Sequence, residues 1–227
     1  SILALQAKPC PVQMKDHPLP YNLFAGQKIA RVEALCDGVF AIAMTLLVLD
    51  IRVPISDAIK TEHDLFESLH TITPTLVSYF TSFMTLGIFW TGHAAQYSRL
   101  EKSDRNLNWI SIFFLMVVAL LPFTTAFMNA HIHFRLSIGL YWLNIFLLGL
   151  LLFINLVYAR KKDYISGDAD EKYQFYRSVR NRIIIAQVLY AVGALLCFIN
   201  IYLSIAVIIC IQLNYALAII PTKAAKR

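Results

Sequence analysis

Charge is scarce in this chain. Asp, Glu, Lys and Arg make up 15% of its 227 residues, against 58% hydrophobic residues, and the mean hydropathy is +0.61. One soluble core could not hide that much apolar surface. The charges fall between long uncharged blocks, the pattern of membrane spans separated by loops. Cysteine is sparse as well. Cys10, Cys36, Cys197 and Cys210 show no CxxC or Cys/His spacing, which argues against a disulfide framework or a zinc site. Three of them sit in apolar stretches, where a free thiol behaves as a small hydrophobe. There is no GxSxG or HExxH motif, so neither a serine nor a zinc hydrolase is signalled, and no enzyme or cofactor is expected. No segment carries arginine at every third position, as a voltage sensor would. No TVGYG-like loop supplies rings of carbonyls, and the halving symmetry of many transporters is not evident. The opening SILALQAK is too short an apolar run for a signal peptide.

What is present organises into spans. Four prolines among residues 1–27 (Pro9, Pro11, Pro18, Pro20) predict an irregular arm. A transmembrane domain follows over residues 28–222, then a basic tail at 223–227. The first span is expected from about Ile29 to Ile51, the second over roughly Phe66 to Tyr97 with Pro74 in its early part. The third is expected from about Leu107 to Asn129 with a kink at Pro122, and the fourth from about Leu136 to Tyr158. Ile183 to Ile220 is an uncharged block of 38 residues, too long for one span of about 20. A split near Asn200 makes it a fifth and a sixth. With the termini and the second and fourth loops on one side, 17 of the 20 Lys and Arg fall on that side, leaving only Arg52, Lys60 and Arg135 opposite. The positive-inside rule therefore predicts an all-α membrane protein of six helices with both termini cytoplasmic. The net charge of +6 is accounted for by topology and lipid head groups, so neither nucleic acid nor a soluble partner is implied.

The first span, RVEALCDGVFAIAMTLLVLDI, carries the most chemistry. At about 100° per residue Leu35, Ile42 and Leu49 lie on one line, with Gly38, Thr45 and Leu46 close beside it. Asp37 is rotated about 200° from Leu35. One face is thus an apolar stripe, suited to lipid contact, to helix packing, or to a pore that gates by dewetting. The other face bears an acid expected to be buried, and an acid within the hydrocarbon needs partners. Arg31 is off its face, so the candidates lie on other helices: Trp90 and His93 on the second, Asn108 or Ser111 on the third. Each of these also has an ordinary reading as an interface anchor, a loop-end residue or a polar group where a helix begins.

RVEALCDGVFAIAMTLLVLDI resembles the RxxxFSDG signature that opens the first helix of the lysosomal potassium channel family called transmembrane protein 175, with the single-repeat prokaryotic branch the nearest. FWTGHAAQY is similar to that family's second-helix Trp and His pattern. NLNWISIFFL and LLPFTTAF are similar to its third helix, and GLYWLNIFLLGLLL to its fourth. Leu35 and Cys36 stand where the family has Phe and Ser, while Arg31, Asp37 and Gly38 match.

The resemblance implies a homotetramer with four first helices around a central pore. It implies a channel passing potassium in preference to sodium through an apolar constriction at Ile42, with Leu46 and Leu49 following. Thr45 would help coordinate a permeant potassium ion near Ile42. Arg31, Asp37, Trp90, His93 and Asn108 would brace the pore helix. The chain's other surroundings would be the lipids of a prokaryotic cell membrane. The residues themselves leave open a proton-coupled secondary transporter using Asp37 and His93 as a relay, and a membrane protein of purely structural role.

Overall fold

The computed structural model describes residues 29–53 and 59–217; the expected N-terminal arm and basic tail lie outside them. The described chain is helical: α1 Ile29–Leu46, continued by a 3-10 turn Leu47–Asp50; α2 Glu62–Thr71; α3 Thr73–Tyr97; α4 Arg105–Ala130; α5 Arg135–Lys161; α6 Ala169–Leu195, continued by a 3-10 turn Leu196–Phe198; and α7 Ile201–Leu217. Among the described residues, four stretches are long and apolar enough to cross a membrane: α4, α5, and α1 and α6 each with its 3-10 turn. The α2–α3 pair, bent by 44°, adds a fifth if it forms one broken span. At 17 residues, α7 stands at the lower limit for a crossing.

Local chemistry sets most of the boundaries. Thr61 and Asp64 form a reciprocal capping box at the start of α2, satisfying two orphan N–H groups. Asp104 caps α4 by accepting from the Leu107 N–H at 2.9 Å, and Asp168 caps α6 by accepting from the Glu171 N–H at 2.7 Å. Gly167 has φ +107°, a conformation glycine adopts without a Cβ penalty, and it turns the chain into that cap.

Two expectations are corrected. The second span divides at Ile72, and Pro74 stands in the first turn of α3, where a missing N–H costs nothing. The fifth helix begins at Ala169, well before Ile183, because the Asp168 cap nucleates it in the polar segment. Pro122 lies inside α4, which continues through it; the ring removes one rung, and Asn144 of α5 donates to the Val117 carbonyl at 3.2 Å. The expected break near Asn200 does occur. Asn200 accepts from the Leu203 N–H at 3.3 Å and opens α7, while Ser204 donates to the Gly193 carbonyl at 2.7 Å and draws α7 back onto α6.

The centre of the bundle is the antiparallel α4–α5 pair, with Phe114, Val118 and Leu121 facing Tyr141, Ile145 and Leu148, all buried. α1 and α3 pack on α4, α6 packs on α5, and α7 closes against α6 and α3. The α3–α4 and α5–α6 loops are joined by an antiparallel bridge between Leu100 and Ile165. The Glu101 N–H donates to the Tyr164 carbonyl at 2.9 Å and the Ser166 N–H to the Arg99 carbonyl at 2.8 Å. These two basic loops therefore share one face of the bundle, as the charge distribution requires.

A row of hydroxyls on α3 is buried in this apolar setting. Ser82 Oγ and Thr125 Oγ1 share a hydrogen bond of 2.8 Å, and the Tyr141 hydroxyl lies 3.2 Å from Ser82 and 3.3 Å from Thr85. Gln212 Nε2 of α7 donates to Thr85 Oγ1 at 2.6 Å. Four helices are thus keyed to one another by polar contacts that hydrocarbon cannot replace.

The α5–α6 contact gives the first prediction. A Cβ on Gly149 would fall 1.5 Å from Gln187 Nε2, the group that donates to the Ile145 carbonyl at 3.4 Å. Gly149→Ala must displace Gln187 and should cost about 1–3 kcal/mol, the range for overpacking a close-packed interior. Thermal melting in detergent checks this, and an unshifted transition would contradict the close approach.

Candidate functional site

Helical periodicity places Cys36, Phe40, Ala43 and Leu47 on one stripe of α1 and its 3-10 extension. All four are buried, against α3 and α4, with the Phe40 ring 5.9 Å from that of Phe114. Val32, Val39 and Met44 flank this stripe half-buried, and the far side of the helix is left exposed by the described residues. Ile42 is 61% exposed, Leu46 44% and Leu49 72%, and the stripe they form is turned about 130° from the buried one. Thr45 is exposed beside them. Its hydroxyl donates to the Ile42 carbonyl at 2.8 Å, so its proton is committed to the helix and its lone pairs remain available to a cation.

Asp37 occupies the opposite margin, about 90° from the centre of the buried stripe. Trp90 Nε1 of α3 donates to Asp37 Oδ1 at 2.8 Å. The expectation of a buried acid is corrected for the single chain, where Asp37 is exposed, because the described residues fully bury only one stripe of α1. One residue back, Cys36 Sγ lies 3.5 Å from His93 Nε2. Two adjacent α1 residues therefore meet two α3 residues one turn apart. His93 is buried and stacked on Tyr97 at 4.2 Å and Phe114 at 5.3 Å between ring centroids.

The remaining candidates are placed elsewhere. Asn108 accepts from Ser103 Oγ at 2.7 Å rather than joining Asp37. Ser111 shares a hydrogen bond with the Tyr97 hydroxyl, and Asn155 Nδ2 donates to that tyrosine at 3.3 Å. Arg31 is exposed and makes no ion pair among the described residues. No hydrogen bond joins Asp37 to His93, so a relay through that pair is not favoured. Among the described residues no cluster of His, Cys, Asp and Glu is arranged to hold a metal ion.

Sequence reasoning missed the second attachment of α1. Asn129 Nδ2 of α4 donates to Asp50 Oδ2, fixing the far end of the helix as Asp37 and Trp90 fix the near end. It also missed the α3 hydroxyls, although Ser78, Ser82 and Thr85 recur at helical spacing on one face and could have been found by asking where polar residues repeat every three or four positions.

Residues 31–122, which contain the Ile42 stripe, Asp37, Trp90 and His93, match the family profile described as "Endosomal/lysosomal potassium channel TMEM175". A potassium channel of Chamaesiphon minutus is 30% identical over 191 residues, covering 82% of this chain and 93% of that protein. The chain belongs to the TMEM175 family. A potassium channel of Streptomyces collinus is 41% identical over 102 residues, 45% of this chain; the match spans about half, 48%, of that relative's length. The crystal structure of a lysosomal potassium-selective channel TMEM175 homolog from Chamaesiphon minutus superposes with a TM-score of 0.73 at 27% identity, covering 84% of this chain and 97% of that one. Family membership and the apolar helices together make this an integral membrane protein. The TMEM175 resemblance read from the first helix is thereby established for the chain as a whole.

The Asp37–Trp90 contact gives the second prediction. Asp37→Ala should lower stability by about 1.5 kcal/mol, the low end for a hydrogen bond to a charged group. Trp90→Phe, which removes the donor and keeps most of the ring, should couple with it. A double variant whose loss equals the sum of the single losses would show that the two groups do not act as a pair.

Proposed function

We propose that this chain is a potassium-permeable channel, a homotetramer in which four copies of α1 surround the conduction path. The observation that carries the reading is the bare stripe of Ile42, Leu46 and Leu49 on a helix whose other side is anchored to its own protomer. Four such stripes facing one axis would make an apolar constriction that admits an ion only as it sheds water. Thr45, with its lone pairs uncommitted, offers an oxygen to the ion at that point. Asp37 and Trp90, with His93 against Cys36, hold α1 at the angle that presents the stripe. Arg31 belongs to the mouth of the same helix, and Asn108 supports the start of α4. The names and lengths of the relatives support this assignment, since the Chamaesiphon minutus potassium channel is matched over 93% of its length.

In this reading the chain crosses a prokaryotic cell membrane six times, with α2 and α3 as one bent crossing and α7 as the last. The joined basic loops and both termini face the cytoplasm. The transported ion is the only small partner required, and the protein partners are three further copies of the chain.

Reconstitution into a planar bilayer under opposed potassium and sodium gradients tests the assignment. The reversal potential should lie toward that of potassium and stay there when a pH gradient is added. A potential that follows the proton gradient instead, with saturable flux, would overturn it in favour of coupled transport. Ile42→Ser should raise conductance severalfold and move the reversal potential toward zero, because a wider, wetter constriction no longer forces dehydration. Wild-type conductance and selectivity in that variant would remove Ile42 from the constriction.

A further inference from the structure

Behind α1, on the side roughly opposite Ile42 and Leu49, lies a groove of about 650 Å³. That volume is within the range of small-molecule sites, which are mostly apolar with a few polar groups. Its walls are Phe40 and Met44 of α1 and Phe83 and Ile88 of α3; Trp90, Arg182 and Tyr215 also line it. From Trp90 back to Phe83 is two turns of α3, about 10 Å of apolar trough.

The polar residues of the groove indicate its depth in the bilayer. Arg182 is the last charged residue of α6, and the chain is uncharged from Ile183 to the end of that helix. Arginine, tryptophan and tyrosine meeting at one level mark the membrane interface, where lipid phosphates lie. The Arg182 guanidinium lies 5.6 Å from the Tyr215 ring centroid and has no carboxylate within ion-pair reach among the described residues. The acid lining the same groove, Asp37, is engaged by Trp90. Arg182 is therefore the group left to meet an anion.

We infer that this groove binds an anionic phospholipid from the leaflet on the Arg182 side, with the phosphate at Arg182 and one acyl chain along α3 against the back of α1. Basic pockets between helices at the membrane surface hold anionic head groups in this way. A second copy of the chain seated here would have to bring a carboxylate to Arg182 or leave it desolvated and unpaired, which is costly. The lipid site depends only on the chain being in a membrane. That such a lipid would bear on conduction, by packing behind the Ile42 stripe, rests on the channel reading above.

Tryptophan quenching tests the site without measuring ion flux. The chain has three tryptophans, so Trp109→Phe with Trp142→Phe leaves Trp90 as the reporter in the groove. In phosphatidylcholine vesicles, brominated phosphatidylglycerol should quench Trp90 at about fivefold lower mole fraction than brominated phosphatidylcholine, the factor for one basic side chain at a lipid surface. Arg182→Gln should abolish that preference, while Arg177→Gln, on the same helix but outside the groove, should keep it. Native mass spectrometry of the chain with all its tryptophans should likewise retain phosphatidylglycerol over phosphatidylcholine, and lose that selectivity in Arg182→Gln. Equal quenching by the two lipids, a preference that survives Arg182→Gln, or protection of Trp90 from both lipids, as when a second copy covers the groove, would overturn the inference. A chain that conducts potassium without lipid preference sinks only the lipid site. One that shows the preference and conducts nothing sinks only the channel reading.

Discussion

The arrangement of this protein depends on how little of α1 its own chain covers. Cys36, Phe40, Ala43 and Leu47 form one buried stripe, and Phe40 against Phe114 is its aromatic anchor. In a membrane this contact gains nothing from leaving water, since lipid tails are as apolar as the helix they would replace. Close packing and directed hydrogen bonds must therefore fix the helix. Trp90 to Asp37 supplies one such bond near its start, and Asn129 to Asp50 another at its end. Held at two points on one side, the helix keeps its other side, with Ile42, Thr45 and Leu49, exposed.

The same reasoning explains the buried polar residues around α3. Ser82 and Thr85 of α3, with Thr125, Tyr141 and the Gln212 amide nitrogen, bond to one another where an unpaired polar group would be costly. Here their mutual bonds select one register for α3, α4, α5 and α7, which apolar packing alone would leave less sharply defined. The frame that holds α1 is thus stiffened at its centre by hydrogen bonds. At one face it is stiffened again by the bridge between Leu100 and Ile165. The site and the scaffold are continuous: His93, which meets Cys36, stacks on Tyr97, and Tyr97 joins Ser111 and Asn155.

Much of this was legible in the residues, and the limits have physical causes. Long uncharged runs marked α1, α4 and α5 closely, because a span must be apolar over a fixed length. The start of α6 was not legible in the same way. Hydropathy reports where hydrocarbon begins, whereas Asp168 begins a helix in the polar segment and carries it onward into the membrane. Pro74 was read as lying within a span, because a proline that starts a helix and one that bends it differ only in whether an earlier turn exists.

The sequence by itself determined that the chain lives in a membrane, which loops carry the positive charge, which family the first helix belongs to, and that Asp37 and the Ile42 stripe face different ways. The family follows from the match to its opening motif; the others follow from composition or from a fixed angle per residue. Only the tertiary structure decided the partners: Trp90 rather than Asn108 for Asp37, His93 for Cys36, Asn129 for Asp50. It also decided that Asp37 is exposed in the single chain and that a groove backs α1 beside Arg182. Those outcomes turn on which faces of separate helices meet, and helical periodicity fixes the faces of one helix without fixing the neighbour each one finds.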